Sequence, residues 1–212
     1  MRDYDIYLFD WDGTLSHSTQ IWLDVIQEEF AAHGVSVSHE QILPAMGDFH
    51  RLLDLGISEE NLPSLKATIR ARAQERLPEA PLFPGVPEML TELKRSGKKL
   101  AVVTAMHGPI IESMMAYHKY HDIFDVIISG SDVKHQKPHP EGLLLAMGQL
   151  KRQPGHSVLM LGDTERDILA AQAAGVDSLL FYPPEHQTLH SLDELRGHKP
   201  THVITNWQEF VS

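Results

Sequence analysis

Residues Ile6-Tyr7-Leu8-Phe9-Asp10-Trp11-Asp12-Gly13-Thr14-Leu15 give the strongest indication of the fold that we predict for this chain. Its first four residues are apolar, and such a run is typical of a strand that is buried on both faces of a sheet. Two carboxylates and a glycine follow at once. Because α/β sheets bind their ligands at the carboxyl ends of the strands, we expect a site directly after this strand.

Five further short apolar runs predict strands, and segments with helical spacing lie between them. Strands that alternate with helices favour a doubly wound α/β fold, with a parallel sheet and right-handed crossovers. The predicted strands are Leu100–Val103, Val126–Ile128, Val158–Leu161, Leu179–Phe181 and Val203–Ile204, and the predicted helices are Val86–Ser96, His139–Leu150 and Glu165–Ala174.

One interval, residues 15–82, breaks this alternation because nothing in it has the pattern of a strand. Prolines at 78, 81, 84 and 87 favour a stiff return from it to the sheet. Three helices are expected inside it: one on the apolar stripe from Ile21 to Phe30, one opened by a Ser38–Gln41 capping box, and one from Ser58 toward Leu77. We therefore predict a core of residues 1–14 and 83–212 and a small helical cap domain of residues 15–82.

The composition limits the classes of partner. The 212 residues include 18 Lys and Arg against 29 Asp and Glu, a net charge of −11, and the basic residues form no long run. This argues against nucleic acid as a partner. The absence of cysteine excludes disulfides and thiolate metal sites, and the first apolar run, which ends at Phe9, is too short for a signal sequence or a membrane span. We expect a soluble, cytoplasmic protein of undetermined oligomeric state.

Acidic residues follow two of the predicted strands. Asp10 and Asp12 are two apart, so on an extended backbone their side chains would face one spot. Asp163 and Asp167 follow the run Val158–Leu161. Four carboxylates at one edge of the sheet would repel one another, and a divalent cation would relieve that repulsion. Oxygen ligands without cysteine favour Mg²⁺.

Two further positions complete a predicted phosphate pocket. Thr104 closes the strand Leu100–Val103, so its hydroxyl and the amides of Ala105 and Met106 can donate to anionic oxygens. Lys137 lies in a proline-rich, non-helical stretch and offers a point positive charge.

These motifs, in this order, resemble those of the haloacid dehalogenase-like hydrolase superfamily. The similarity runs from Tyr7 to about Gly175, and it is greatest to the phosphoglycolate phosphatase-like branch, which has a helical cap. The matching motifs are D-x-D-G-T-L from Asp10 to Leu15, a strand-terminal Thr104, K-P-x-P from Lys137 to Pro140, and G-D-T-x-x-D from Gly162 to Asp167. The chain departs from that branch at His17, where an acidic residue is common, and at Ala105, where Asn or Ser is common.

The resemblance implies a Mg²⁺-dependent phosphatase that acts on a small phosphorylated metabolite. It implies that Asp10 attacks phosphorus to form an aspartyl-phosphate and that Asp12 serves as acid and base. It implies that Thr104, Ala105 and Lys137 bind the phosphate. Asp10, Asp12 and Asp163 would bind the metal. Asp167 would hold these ligands in position without binding the metal itself.

Three alternatives stay open at this point. A phosphomutase would share the nucleophile, but its relatives tend to have Glu-Asp where this chain has Gly162-Asp163. A dehalogenase is the second alternative, but dehalogenation needs no proton donor two residues after the nucleophile, and this chain has one in Asp12. A non-catalytic regulatory module would be expected to have lost one of the matching residues.

The remaining candidates concern metal binding by histidine and substrate specificity. His135 and His139 are four residues apart and His118 and His121 three apart, but neither pair has a clear third and fourth ligand nearby in the sequence, so a histidine zinc site is not expected. The three tryptophans, Trp11, Trp22 and Trp207, are expected in packing. The specificity candidates are His17, Gly47, Asp48, His50, Arg51 and Met106.

Overall fold

The computed structural model describes residues 3–46 and 49–211. These residues form a sheet of six parallel strands in the order β3-β2-β1-β4-β5-β6. The strands are β1 (Ile6–Phe9), β2 (Lys99–Val103), β3 (Val126–Ile128), β4 (Val158–Gly162), β5 (Asp177–Phe181) and β6 (His202–Ile204). The predicted strands and the α/β fold class are confirmed.

Helices connect and cover the strands. They are α1 (Thr19–Ala32), α2 (His39–Ile42), α3 (Leu62–Arg76), α4 (Val86–Arg95), α5 (Gly108–His118), α6 (Glu141–Gln149), α7 (Glu165–Ala174), α8 (Leu192–Gly197) and α9 (Gln208–Val211), with 3-10 helices at Leu43–Ala45, Phe49–Leu55 and Pro184–Thr188. In the described parts of the chain, none of these helices is both long and apolar enough to cross a membrane.

Both faces of the sheet are buried, as the continuous apolar runs predict. Tyr7 and Phe9 of β1 pack in the larger hydrophobic cluster, which also includes residues of α1 and α3. Ile6 and Leu8 point to the opposite face and pack with residues of α6 and α7. The strand therefore lies in the middle of the molecule, and the residues that follow it are held on both sides.

The helical interval contains α1, α2, α3 and two 3-10 helices, with no regular strand among its described residues. Helix α1 packs against α3, and the ion pairs Arg72–Glu29 and Arg76–Glu28 (2.8 Å) join them. The capping box before α2 is confirmed, because Ser38 and Gln41 exchange hydrogen bonds of 2.9 and 3.3 Å. The division of the chain into core and cap stays a prediction.

Several helices differ from the sequence-based expectation, among them the short α8 and α9, which it did not include. Helix α3 begins at Leu62, four residues after the expected start, because the Ser58 hydroxyl accepts the Asn61 amide at 3.3 Å and closes a separate turn. Helix α5 is not indicated by the sequence patterns, since Gly108-Pro109 has the appearance of a turn. A proline is nevertheless favourable in the first turn of a helix, where its missing N–H is not needed.

Candidate active site

Asp10 follows β1, which lies between β2 and β4 in the sheet. Its amide donates to the Leu161 carbonyl at 2.8 Å, so the backbone stays tied to the sheet one residue beyond the strand. Its Oδ1 lies 2.8 Å from the Lys137 ammonium, and only 9% of the residue is exposed. Asp10 is thus a buried carboxylate in direct contact with a buried cation.

Asp12 has different partners. Its Oδ1 accepts hydrogen bonds from the Ser18 hydroxyl and from Trp22 Nε1, the latter at 3.0 Å. We expected the two carboxylates to face one spot. Strand β1 ends at Phe9, before both of them, and this expectation stays a prediction. The chain turns at Gly13, whose φ of 72° lies in the left-handed region that favours glycine.

A cluster of three buried carboxylates lies at this edge of the sheet: Asp10, Asp163 and Asp167, each with an oxygen within 4.8 Å of the others. The Asp12 side chain is not part of this cluster. Its predicted role as a metal ligand stays a prediction, as do those of Asp10 and Asp163. We expected Asp167 only to position the metal ligands, but its carboxylate is one of the three in the cluster.

The turn between β4 and α7 positions Asp163 and Asp167. Asp167 Oδ2 accepts the amide and hydroxyl of Thr164, at 3.2 and 2.8 Å, which caps α7. Asp167 Oδ1 contacts the Lys137 ammonium at 2.6 Å. Gly162 precedes this turn, and a Cβ there would overlap the Asp167 side chain. The glycine therefore lets Asp167 lie close against the end of β4.

Lys137 is held by its backbone as well as by its side chain. The carbonyl of Lys137 accepts hydrogen bonds from the Arg166 guanidinium of α7, that from Nε at 2.8 Å. The ammonium contacts Asp10 and Asp167, and only 7% of Lys137 is exposed. The predicted cation is thus brought next to the predicted nucleophile.

Burial changes the pKa values of these groups. It raises the pKa of Asp10 to about 7, with Lys137 opposing the shift and Asp167 adding to it. Burial, with the charges of Asp10 and Asp167, raises the pKa of Asp163 well above its usual value. Burial alone would lower the pKa of Lys137, but Asp10 and Asp167 outweigh it and the pKa is raised. Lys137 therefore stays charged, but its single positive charge cannot neutralise all three buried carboxylates.

Thr104 and Ala105 follow β2, beside Asp10. Thr104 is buried, and its hydroxyl oxygen accepts the Met106 amide at 3.1 Å. The Met106 amide is therefore directed to Thr104 in this structure, whereas we expected it to face an anion. The Ala105 carbonyl accepts a hydrogen bond from Gln136 at 3.4 Å. Phosphate binding by Thr104 and Ala105 stays a prediction.

Several residues at the site were not predicted to act there. Ser18 and Trp22 bind Asp12, and the Thr14 hydroxyl donates to Asp163 at 3.2 Å. The Nδ1 of His186 lies 3.8 Å from Asp163 Oδ2 and has no hydrogen-bond partner among the described residues. Burial, with His190 and His17, lowers the pKa of His186 to about 4, so this imidazole is neutral. Thr14 could have been found from the motif. Ser18 and Trp22 follow the motif closely, but only the docking of α1 directs them to Asp12, and His186 lies far away in sequence.

The specificity candidates lie in different places. His17 stacks on Phe83 with ring centroids 3.6 Å apart, and both line a cavity of about 230 Å³ that also borders His186. Met106 is buried. His50 and Arg51 lie on the 3-10 helix Phe49–Leu55, whereas Gly47 and Asp48 are outside the described residues.

The three carboxylates and Lys137 fit a divalent cation. Lys137 brings one positive charge to three buried carboxylates, so a divalent cation would balance the remaining negative charge. The carboxylates also offer oxygen atoms, which are the ligands that hard cations prefer. A buried cluster of this kind, at the carboxyl edge of a parallel sheet, is where α/β proteins place a ligand site. Residues 7–181 match the family described as haloacid dehalogenase-like hydrolase, and the chain belongs to this family.

Relatives of known name span nearly the whole chain. Pyrophosphatase PpaX from Bacillus mycoides is 28% identical, over 96% of this chain and 94% of the relative. The Dickeya dadantii protein named "Probable phosphatase IndB" is 31% identical, over 80% and 73%. A crystal structure from Lactobacillus plantarum, of a protein provisionally described as a phosphoglycolate phosphatase, is 25% identical, covers 99% of both chains and has a TM-score of 0.85.

Proposed function

We propose that this protein is a Mg²⁺-dependent phosphatase that hydrolyses a small phosphorylated metabolite through an aspartyl-phosphate. The observation that carries the proposal is the contact of Asp10 with Lys137 at 2.8 Å, inside a cluster of buried carboxylates. A carboxylate nucleophile needs a cation beside it, because the phosphoryl group that it attacks is itself anionic. The names of the relatives support a phosphatase.

Asp10 begins the proposed reaction. Its carboxylate attacks phosphorus in line, an acyl phosphate bond forms, and the bond from phosphorus to the leaving oxygen breaks. Lys137 stabilises the charge on the transferring oxygens, and the Thr104 hydroxyl and Ala105 amide donate to them. Magnesium, held by Asp10 and Asp163 with Asp167 beside them, would supply further positive charge at the phosphate.

Asp12 is suited to proton transfer by the way it is held. Ser18 and Trp22 both donate to Oδ1, which leaves Oδ2 to carry the proton. Burial raises the pKa of Asp12, although the Ser18 and Trp22 hydrogen bonds oppose the shift. A carboxyl group with a raised pKa can protonate the leaving oxygen and then take a proton from the water that hydrolyses the acyl phosphate.

Three other expectations belong to the proposal. Residues 15–82 form a cap over a core of residues 1–14 and 83–212. The substrate is a phosphorylated metabolite, and phosphoglycolate and pyrophosphate are the first compounds to test because relatives bear those names. The protein acts in the cytoplasm, without nucleic acid or membrane as partners.

The proposal is tested by phosphate release from an aryl phosphate and from a panel of phosphorylated metabolites. We expect release with Mg²⁺, loss with EDTA, and a fall of about 10³-fold or more in Asp10→Asn, because the amide cannot attack phosphorus. The exposed Asp122→Asn variant is the matched control and should keep full activity. Substantial activity in Asp10→Asn would contradict the proposed nucleophile.

The same panel separates the alternatives. A phosphomutase would convert a sugar phosphate to an isomer and release little phosphate, whereas a regulatory module would turn over none of the compounds. The product mixture is read by phosphorus NMR. Isomer as the main product would favour the mutase.

A further inference from the structure

A second cluster of possible metal ligands lies on the outer side of the loop that carries Lys137. His135, His139 and Glu141 each offer one ligand atom, and these atoms lie within 4.8 Å of one another. The sequence left the two histidines without a third ligand, and the fold supplies Glu141. We propose that these three residues form a site for a divalent transition metal such as Zn²⁺, separate from the carboxylate cluster.

The distances suit a bound ion. Glu141 Oε2 lies 2.9 Å from Nδ1 of His135 and 3.9 Å from Nδ1 of His139. Tetrahedral zinc binds nitrogen and oxygen ligands at about 2.0–2.2 Å, which places its ligand atoms roughly 3.3–3.6 Å apart. The two separations lie on either side of that range, so small side-chain movements would bring both pairs into it. The two rings are 4.7 Å apart, and their side chains are 65% and 52% exposed, so they can adjust around an ion.

The carboxylate is already fixed in place. Glu141 is the first residue of α6, and its oxygens accept the amides of Lys134 at 2.9 Å and of His135 at 3.0 Å. Its position therefore does not depend on a metal. A ligand that is ordered in advance loses less conformational entropy when it binds an ion.

The ligand atoms of this second site favour a different metal from the Mg²⁺ proposed for the active site. Two imidazole nitrogens and one carboxylate suit zinc and its transition-metal neighbours, whereas Mg²⁺ prefers oxygen ligands alone. Three protein ligands also leave a fourth position for water, as in open zinc sites.

A bound ion would restrain the segment that presents Lys137. His135 and His139 lie on either side of Lys137 in sequence, and the Lys137 side chain contacts Asp10 and Asp167. An ion bound to both histidines would therefore tie together the ends of this segment. We expect slower amide exchange across residues 134–141 when Zn²⁺ is bound.

The test is a calorimetric titration of the full chain with ZnCl₂ in excess Mg²⁺, the ion proposed for the carboxylate cluster. We expect one saturable Zn²⁺ site in the wild type and in Asp163→Asn. In His139→Gln and in His135→Gln the affinity should fall by more than about 10-fold, the lower limit found even for residues that only orient a ligand.

His121→Gln is the matched control, since His121 is also exposed and lies 3.9 Å from a glutamate, Glu112. It should bind Zn²⁺ like the wild type. Three results would overturn the proposal: no saturable site in the wild type, unchanged affinity in His139→Gln, or loss of the site in Asp163→Asn. None of them depends on phosphatase activity, so the proposed function is tested separately.

Discussion

The balance of buried positive and negative charge determines how each residue of the site affects the stability of the fold. Asp10, Asp163 and Asp167 are buried with one lysine in contact, Lys137, which touches Asp10 and Asp167. Buried charges are tolerated when they are paired, and removal of one partner leaves the other uncompensated. The folded protein is thus stabilised by each group that neutralises this cluster.

Lys137→Met should show this directly. The change leaves the charges of Asp10 and Asp167 without their cation, and loss of one partner of a buried pair costs about 3–5 kcal/mol. We expect a large loss of unfolding free energy at pH 8 in EDTA and a smaller loss at pH 5, where the raised pKa of Asp10, about 7, means that it is protonated. Urea unfolding at the two pH values measures both.

Lys94→Met serves as the control. Lys94 pairs with Asp125 at 2.8 Å, but the two side chains are 33% and 25% exposed. Loss of such a surface pair costs about 0–1 kcal/mol. A similar loss in the two variants would mean that Lys137 does not neutralise the cluster.

Asp163→Asn should raise stability when no metal is bound. Because burial raises the pKa of Asp163, the ionised carboxylate is disfavoured in the folded state. The penalty is absent below the unfolded pKa of about 4 and grows as pH rises above it. In EDTA at pH 8 the variant should melt at least about 2–4 °C above the wild type, the shift expected for about 1 kcal/mol in a chain of this size.

Magnesium should reverse that order. An ion that binds the native state raises the melting temperature, so we expect Mg²⁺ to stabilise the wild type and to shift the variant much less. The exposed Asp122→Asn variant should behave like the wild type in both conditions. Equal magnesium shifts in wild type and Asp163→Asn would remove Asp163 from the proposed ligands.

At the scale of elements, close packing at the ends of strands determines where the carboxylates lie. Strand β4 ends at Gly162, and α7 begins at Glu165. A Cβ on Gly162 would overlap the Asp167 side chain, which also caps α7 and contacts Lys137. Strand β4 and helix α7 can thus approach each other closely because Gly162 has no side chain.

Gly162→Ala should therefore displace Asp167. We expect a loss of about 1–3 kcal/mol, the usual cost of overpacking, together with reduced phosphatase activity. Gly148→Ala is the control, because Gly148 lies within α6 with open space around it. That change should stabilise the protein by about 0.5–1 kcal/mol. Thermal unfolding of both variants measures the difference, and an equally stable Gly162→Ala would contradict the packing argument.

The regular elements could be predicted from the sequence, whereas several contacts at the site could not. Six strands follow from apolar runs, since such runs must be buried on both faces of a sheet. Helix α3 starts late because of a local hydrogen bond at Ser58, which the apolar spacing does not record. The hydrogen bonds to Asp12 come from Ser18 and Trp22, and they depend on how α1 docks on the sheet edge. Tertiary docking of this kind leaves no periodic signal.

At the scale of the whole molecule, the helical interval is tied to the sheet by two passages that bond to each other. The His17 amide donates to the Pro81 carbonyl at 2.8 Å, and the Phe83 amide donates to the Leu15 carbonyl at 3.0 Å. Ser16 forms bridges with Asp12 and Leu82. The two passages therefore form a short paired segment beside the carboxylates, and we predict that a hinge lies in them, at residues 15–19 and 79–85.

Other contacts hold the interval over the site. Trp22 Nε1 donates to Asp12 at 3.0 Å, and the Arg166 guanidinium donates to the Met46 carbonyl at 3.1 Å. If the interval moves as a lid, opening must break these two bonds while the paired passages stay intact. Closure would exclude water and strengthen the contacts of Lys137 with a phosphate.

The last prediction is that this lid closes more tightly on a phosphate analogue. With vanadate and Mg²⁺ we expect slower amide exchange in α1 than with Mg²⁺ alone, because the bound anion favours the closed state. Trp22→Phe, which keeps an aromatic ring but loses the bond to Asp12, should exchange faster than the wild type without vanadate. Identical exchange with and without vanadate would mean that the interval is packed immovably on the sheet, and substrate would then have to enter without any opening of the helices.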